Sequence, residues 1–413
     1  MPHRIVRPIS RAAAVVVGLS LLAVPAQAEP GTEAQEARQA SKRPTVAPIL
    51  VGHRGAGGTA PENTVPAFRE GRASGAEFIE IDVQLSSDGV PFLFHDDTPA
   101  RTTNVEDVFP DRATDPITSF TWAELQQLDA GSYFDQRFVG ERIPHLDDAA
   151  DTATRNTGVY IEIKSPVNSP GIEQAVADEL AANPAWRKLV AADKVQVIGF
   201  DPASNRRFAE LAPEVPLQQL TGAVPSAAVL AEWATYVDSV GANHRGLTAG
   251  DVARVKAAGL VMSVYTVNSP EAVQSVVDLG VDAVTTDFPL QISRHLRGLP
   301  VFPGAAVEIS ESVNNPAGDD VRPDGGEYVT VRNASASAVD VSGWFLRDAA
   351  NNILRVGEGY VLQPGAELRV HTGPGTDTAG AYFNGYTASI LNNGGDSVAL
   401  WSDELRLMDV LAN

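Results

Sequence analysis

The chain has 413 residues, 44% of them hydrophobic, with 31 basic and 52 acidic side chains and a formal net charge of −21. That length suits two domains and that apolar content fills full cores, which excludes a disordered polyanion. The negative balance argues against nucleic acid as a partner, and the lack of cysteine excludes disulfides, thiolate metal sites and a cysteine nucleophile.

Residues 1–28 carry a basic start (MPHRIVRPISR), an apolar run (AAAVVVGLSLLAV) and the small-residue pattern Ala26-Gln27-Ala28. This order predicts a cleaved signal peptide, and the run is short for a bilayer span, which needs roughly 20 apolar residues. The expectation is a secreted, extracellular chain with no transmembrane segment after processing. Residues 29–47 are polar and aperiodic, as a linker would be.

From 48 to 300, short apolar runs alternate with amphipathic stretches. The strand candidates are ILVGH, EFIEIDVQL, VPFLFH, GVYIEIK, KVQVIGF, PLQQL, LVMSVYTV and VDAVTTD, with YVDSVGA (236–242) as a ninth. Helical patterns lie between most of them; LTAGDVARVKAAG and SPEAVQSVVDLG each begin on a Thr or Ser cap and stop at Gly. Strands alternating with helices over this length predict a (β/α)8 TIM barrel, one candidate being surplus. Residues 96–157, after the third strand candidate, form a long insertion expected to lie over the catalytic face. After Pro300 the helical period vanishes. Short alternating runs (EYVTVRN, AVDVSGWFLRD, AELRVHT, DSVALWS) predict an all-β immunoglobulin-like sandwich over 301–413.

Polar residues inside apolar strands carry the functional signal. Glu80 and Asp82 stand two apart and share a strand face, as do Glu162 and Lys164. His53 follows ILVG, and His95 follows VPFLF. Catalytic groups of such barrels collect at the C-terminal ends of the strands, so these residues and Arg54 are expected around one mouth. Glu80, Asp82 and Glu162 are hard oxygen donors suited to one divalent cation, Ca²⁺ or Mg²⁺. Arg54 and Lys164 suit phosphate contacts, and His53 with His95 suit a general acid–base pair. Glu62 could instead cap the helix that begins near Thr64, and each of the other features alone has a structural explanation.

Together they resemble a known family. HRG (53–55), PENT (61–64), EID (80–82), HD (95–96), EIK (162–164), TVN (266–268) and TDFP (286–289) occur in the order found in glycerophosphodiester phosphodiesterases. RTT (101–103), LDAG (128–131) and IPHL (143–146) extend the likeness into the insertion. The resemblance implies metal-dependent hydrolysis of a small glycerophosphodiester to glycerol 3-phosphate and an alcohol. It assigns Glu80, Asp82 and Glu162 to the metal and His53 and His95 to acid–base catalysis. Arg54, Lys164 and Glu62 fall to substrate binding, as does Tyr265, which stands where the family usually has tryptophan. Attack by the substrate's own 2-hydroxyl and attack by water both remain open. So does the choice of substrate against a phospholipase D-like sphingomyelinase or a teichoic-acid hydrolase, and a non-catalytic surface-binding role is the remaining reading.

The C-terminal stretches GGEYVTVRN, VDVSGWFLRD, LQPGAELRV and LNNGGDSVALW resemble the lamin-tail domain. With 15 acidic and 6 basic residues over 301–413, this part is not expected to bind nucleic acid. Such domains in exported bacterial enzymes are generally read as attachment or targeting modules, which implies cell-surface or wall attachment, with a purely structural C-terminal cap as the alternative. Trp344 is expected in its core. The aromatic residues of the insertion (Phe109, Trp122, Tyr133, Phe134, Phe138) are expected to form the insertion's own small core or to shape the pocket.

Overall fold

The computed structural model describes residues 47–154 and 156–412. The signal peptide expected at 1–28 and all but the last residue of the expected linker lie outside them. The first sheet contains β1 (Ile49–Gly52), β2 (Phe78–Leu85), β3 (Pro91–Leu93), β4 (Gly158–Ile163), β5 (Val195–Gly199), β6 (Leu217–Thr221), β7 (Ser239–Asn243), β8 (Val261–Tyr265) and β9 (Ala283–Thr286). All of these except β3 are parallel to their neighbours, and β1 pairs with both β2 and β9, which closes an eight-stranded barrel. Strands buried on both faces read as near-continuous apolar runs, which is why FIEIDVQL and GVYIEI are buried almost throughout.

The surplus candidate is VPFLFH. Its β3 pairs antiparallel with the end of β2, Leu85 opposite Pro91 and Val83 opposite Leu93, so it is a return hairpin and not a barrel stave. The eighth stave is YVDSVGA, whose β7 lies parallel between β6 and β8. His95 therefore reaches the mouth because the chain folds back along β2, where Phe94 N donates to Asp82 O at 2.9 Å.

Two apolar layers hold the barrel. Between strands and helices lie Phe68, Ile79, Ile81, Ile161, Trp186, Phe208, Met262 and Ile292, all fully buried. Inside the barrel, Val51, Tyr160, Ile198 and Leu220 pack with Ile49, Phe78 and Tyr265. This plug lets the polar residues of β2 and β4 sit above an apolar floor. The helix Ala249–Ala257 starts on a Thr248 capping box with Asp251, and the helix Pro270–Leu279 starts on Ser269 and stops at Gly280, whose φ is +83°. Such caps are each worth about 1 kcal/mol. The insertion has its own core of Phe92, Phe94, Val105, Ile117, Phe120, Leu125, Leu128 and Ile143, with Phe109 and Trp122 against it.

The C-terminal strands are β10 (Val307–Val313), β11 (Tyr328–Asn333), β12 (Val339–Asp340), β13 (Phe345–Asp348), β14 (Ile353–Arg355), β15 (Val361–Leu362), β16 (Glu367–His371), β17 (Ala381–Phe383), β18 (Ser397–Trp401) and β19 (Leu407–Ala412). They form sheets β10-β11-β16-β17 and β14-β13-β18-β19, with β12-β15 as a short ribbon; every pairing is antiparallel except β16 with β17. The core between the sheets holds Val329, Val331, Trp344, Leu346, Leu354, Leu368, Val370, Val398 and Leu400, which places Trp344 as expected.

The sheet β14-β13-β18-β19 is buried on both sides. Leu346, Val398 and Leu400 face the sandwich core, while Phe345, Ala399, Trp401 and Val410 pack on Phe288, just past β9 of the barrel. Phe345 and Trp401 stack with centroids 6.2 Å apart. At about 1.5–3 kcal/mol per large buried side chain, this contact binds the sandwich firmly to the barrel. Among the described residues, no helix is long and apolar enough to cross a membrane.

Candidate active site

The first loop after β1 turns sharply to put His53 and Arg54 at the barrel mouth. Arg54 has φ +50° and Gly55 φ +90°. A Cβ on Gly55 would stand 2.5 Å from the carbonyl carbon of Ala67, so only glycine lets the loop press onto the following helix. The turn points Gly55 N at Glu80 O (3.1 Å) and Arg54 N at Glu80 Oε2 (2.8 Å), stitching the loop to β2. Arg54 Nη1 then donates to Glu62 Oε1 at 2.7 Å, and Arg54 Nε lies 3.6 Å from Asp82 Oδ2. Glu62 is therefore a partner of the mouth cations and not a helix cap. Burial works against the Arg54 charge, but Glu62, Asp82 and Asp287 outweigh it and hold the guanidinium firmly protonated.

Glu80, Asp82 and Glu162 come together as expected. Asp82 lies beside Glu162 in the β2–β4 register, and one carboxylate oxygen from each of the three lies within 4.8 Å of the others. All three are buried, and neither Glu80 Oε1 nor Asp82 Oδ1 accepts a hydrogen bond. Burial raises Glu80 well above the usual carboxylate range, helped by Asp82 and Glu162; burial and Asp82 likewise raise Glu162. For Asp82, burial is overcome by His95, Lys164 and Arg54, which hold it low. Lys164 Nζ sits 3.1 Å from Glu162 Oε1 and 3.6 Å from Asp82 Oδ1, so the structure places this lysine against the carboxylates. Converging buried oxygens with unused lone pairs fit a hard divalent cation, and these three residues could hold one.

Both histidines are anchored through Nδ1. His53 Nδ1 lies 2.7 Å from Asp287 Oδ1, and His95 Nδ1 lies 2.7 Å from Asp96 Oδ1. An ionised carboxylate only accepts, so each Nδ1 carries the hydrogen and each Nε2 is the free position. His53 Nε2 is 4.0 Å from Glu80 Oε2, next to the carboxylate trio. Arg101 from the insertion bridges the two halves, donating to both oxygens of Glu62 (2.7 and 2.9 Å) and of Asp96 (2.6 and 2.9 Å). Tyr265 Oη donates to Thr221 O at 2.8 Å, its ring meets Phe200 edge-on, and it lines the cavity above His53.

Several positioning groups lie outside the set named from strand patterns. Asn268 Nδ2 donates to Asp287 Oδ2 at 2.6 Å, and Asp287 N donates to Asn268 Oδ1 at 2.9 Å, so TVN and TDFP together hold the aspartate behind His53. Asn63, in PENT, grips Asp82 from both sides: Nδ2 donates to Asp82 Oδ2 at 2.7 Å and Oδ1 accepts from Asp82 N at 3.1 Å. Tyr133 Oη accepts from Glu62 N at 3.0 Å, which sets this insertion aromatic at the mouth. Asn63 is buried with φ +54°. Asn63→Ala is expected to destabilise the protein by about 2–4 kcal/mol, through the loss of one bond to the buried Asp82 carboxylate and one from the Asp82 backbone N–H, and because alanine suits that φ less well than asparagine. Urea unfolding measures this, and a loss below about 1 kcal/mol would show that the grip is unimportant.

With this geometry established, the chain can be compared with known proteins. The model of the glycerophosphoryl diester phosphodiesterase family matches residues 53–291, and that of the lamin tail domain matches 300–412. A glycerophosphodiester phosphodiesterase of Bacillus subtilis (strain 168) is 31% identical over 253 residues, 58% of this chain and 84% of the relative. One from Caldanaerobacter subterraneus subsp. tengcongensis is 32% identical over 245 residues, 58% of this chain and 94% of that one. Among solved structures, a phosphodiesterase of Oleispira antarctica in complex with the product sn-glycerol-3-phosphate shares 28% identity at a TM-score of 0.51, covering 60% of this chain and 97% of its own. The family match spans more than half of the sequence and includes every residue that the barrel gathers at its mouth. The chain therefore belongs to the glycerophosphoryl diester phosphodiesterase family of hydrolases and carries a C-terminal lamin tail domain.

Proposed function

We propose that this chain hydrolyses glycerophosphodiesters to glycerol 3-phosphate and an alcohol, with one divalent cation, Ca²⁺ or Mg²⁺, on Glu80, Asp82 and Glu162. The observation that carries this reading is the meeting of two carboxylate-anchored histidines with a buried carboxylate trio at one end of the barrel. The product held by the Oleispira antarctica relative supports the substrate class. When bound, the cation neutralises phosphate charge as a Lewis acid.

The chain's own groups do the rest. Asp287 fixes the His53 tautomer so that Nε2 accepts or returns a proton at the phosphorus side of the mouth, and Asp96 does the same for His95. Acid–base catalysis of this kind is worth about 10²–10⁴-fold. Arg54, locked by Glu62, keeps a planar cation facing the phosphate oxygens without having to reorganise. The reading includes export, on the order of charge, apolar run and Ala-Gln-Ala over residues 1–28.

The test is product analysis on glycerophosphocholine. The expected result is glycerol 3-phosphate that disappears with EDTA and returns with added Mg²⁺ or Ca²⁺. Undiminished release in EDTA would remove the cation from the scheme. Release of phosphocholine in place of glycerol 3-phosphate would overturn the assigned bond cleavage.

A further inference from the structure

The cavity above His53 is shared between the two folds. It measures about 300 Å³, with His53, Arg54 and Asp287 on the barrel side and Asp348, Asn351 and Asn392 on the sandwich side. That volume sits at the lower end of the roughly 300–1,000 Å³ typical of ligand pockets.

The sandwich wall is clamped in place at the catalytic groups themselves. Asn268 uses one amide hydrogen on Asp287 and the other on Ser397 Oγ of β18, at 2.9 Å. Arg347 of β13 is buried, lays its guanidinium 3.9 Å over the Phe134 ring and donates from Nη2 to Phe134 O at 2.8 Å. Its Nε and Nη1 have no hydrogen-bond partner among the described residues, a costly arrangement for a structural cation. With the Phe345–Trp401–Phe288 contact, these clamps make the sandwich a fixed wall rather than a tethered module.

The chemistry of that wall is selective. The sandwich residues lining the cavity supply amides, carboxylates, a hydroxyl, a guanidinium and alanines, and no leucine, isoleucine, valine or methionine. An acyl chain finds only alanine methyls there, whereas hydroxyl and ammonium groups find acceptors. The phosphate lies on the Arg54 side by the reading above, so the opposite wall faces one of its two ester arms.

We infer that the C-terminal sandwich forms the leaving-group half of the substrate site and selects a short hydrophilic alcohol, a polyol or an amino alcohol, over lipid-borne ones. This rests on the phosphodiesterase reading. It assigns Asn351 and the rim around Ala349 to substrate specificity, a role outside the barrel.

The experiment compares the full-length wild type with Asn351→Gly, which tolerates the φ of +70°, and Ala349→Trp, which fills the rim at an exposed position. Substrates are glycerophosphoglycerol, glycerophosphoethanolamine, the methyl ester of glycerol 3-phosphate and lysophosphatidylcholine. In both variants kcat/KM for the first two, taken relative to the methyl ester, is expected to fall about 5–10-fold, chiefly through KM. A larger fall for the glycerol compound identifies a polyol site, and a larger fall for the ethanolamine compound an amino-alcohol site. Equal losses on all three soluble substrates, no change on any, or wild-type turnover of lysophosphatidylcholine as fast as of the soluble diesters would each overturn the inference. If the wild type releases glycerol 3-phosphate from none of them, the phosphodiesterase reading fails instead, and the two failures are distinct.

Discussion

His53→Ala is expected to lower kcat for glycerol 3-phosphate release by about 10²–10⁴-fold while the protein remains folded. The ring is held by one bond, Nδ1 to Asp287, and its Nε2 is left free beside Glu80. Truncation therefore removes the proton-carrying atom without touching a wall of the barrel. Asp287 keeps the Asn268 amide after the change, so its burial stays compensated and the stability loss is about 1 kcal/mol. Burial opposes the Asp287 charge and His53 is the largest influence holding it ionised; in the variant Arg54 and the Asn268 amide remain to do so. Steady-state kinetics with a urea melt on the same sample checks both halves. A kcat within tenfold of wild type would remove His53 from the chemistry, and an unfolded variant would recast it as structural.

Much of the barrel could be read in advance because parallel staves are apolar on both faces and their polar exceptions stand out. Glu80, Asp82, Glu162 and Lys164 interrupt such runs, and all four meet in the fold. VPFLFH misled because an apolar run says nothing about strand direction, and only its pairing with Leu85 and Val83 shows the reversal. YVDSVGA was faint because its stave carries Ser239, Gly241 and Asn243 among its five residues. The partner of His53 was less legible for another reason, whereas His95 pairs with its neighbour Asp96. His53 and Asp287 are 234 positions apart, and Asn268 and Ser397 are 129 apart, separations that no local period reports. The union of sandwich and barrel did leave a trace. SVALW is apolar from Val398 through Trp401, the pattern of a strand covered on two sides, which a period-two reading of a free-standing sandwich overlooks; FLRD is equally buried but its Arg347 and Asp348 hide it.

Glu80→Gln is expected to abolish turnover and, at the same time, to raise the melting temperature of the protein in EDTA. Without a cation, three buried carboxylates share a space in which one oxygen of each lies within 4.8 Å of the others, and burial with Asp82 and Glu162 alongside raises Glu80 well above the usual carboxylate range. Lys164 reaches Glu162 and Asp82, whereas Glu80, among the described residues, has the Arg54 backbone N–H, the Arg54 charge and the more distant His53 ring. Glutamine keeps an oxygen for that N–H and offers an NH₂ to the neighbouring carboxylates in place of a repelling charge. Removing one like charge from such a site stabilises by about 1–2 kcal/mol, or a few degrees. Wild type behaves oppositely on loading: a cation at a hundred times its Kd adds about 2.7 kcal/mol to the folded state. The variant has lost a ligand and gains little from the same addition. Thermal melts of both proteins in EDTA and in Mg²⁺ or Ca²⁺ therefore cross, with the variant higher without metal and the wild type higher with it. A variant that melts below wild type in EDTA would show that Glu80 is not a strained carboxylate, and one that keeps the full metal-induced rise would show that it is not a ligand, whatever its effect on turnover.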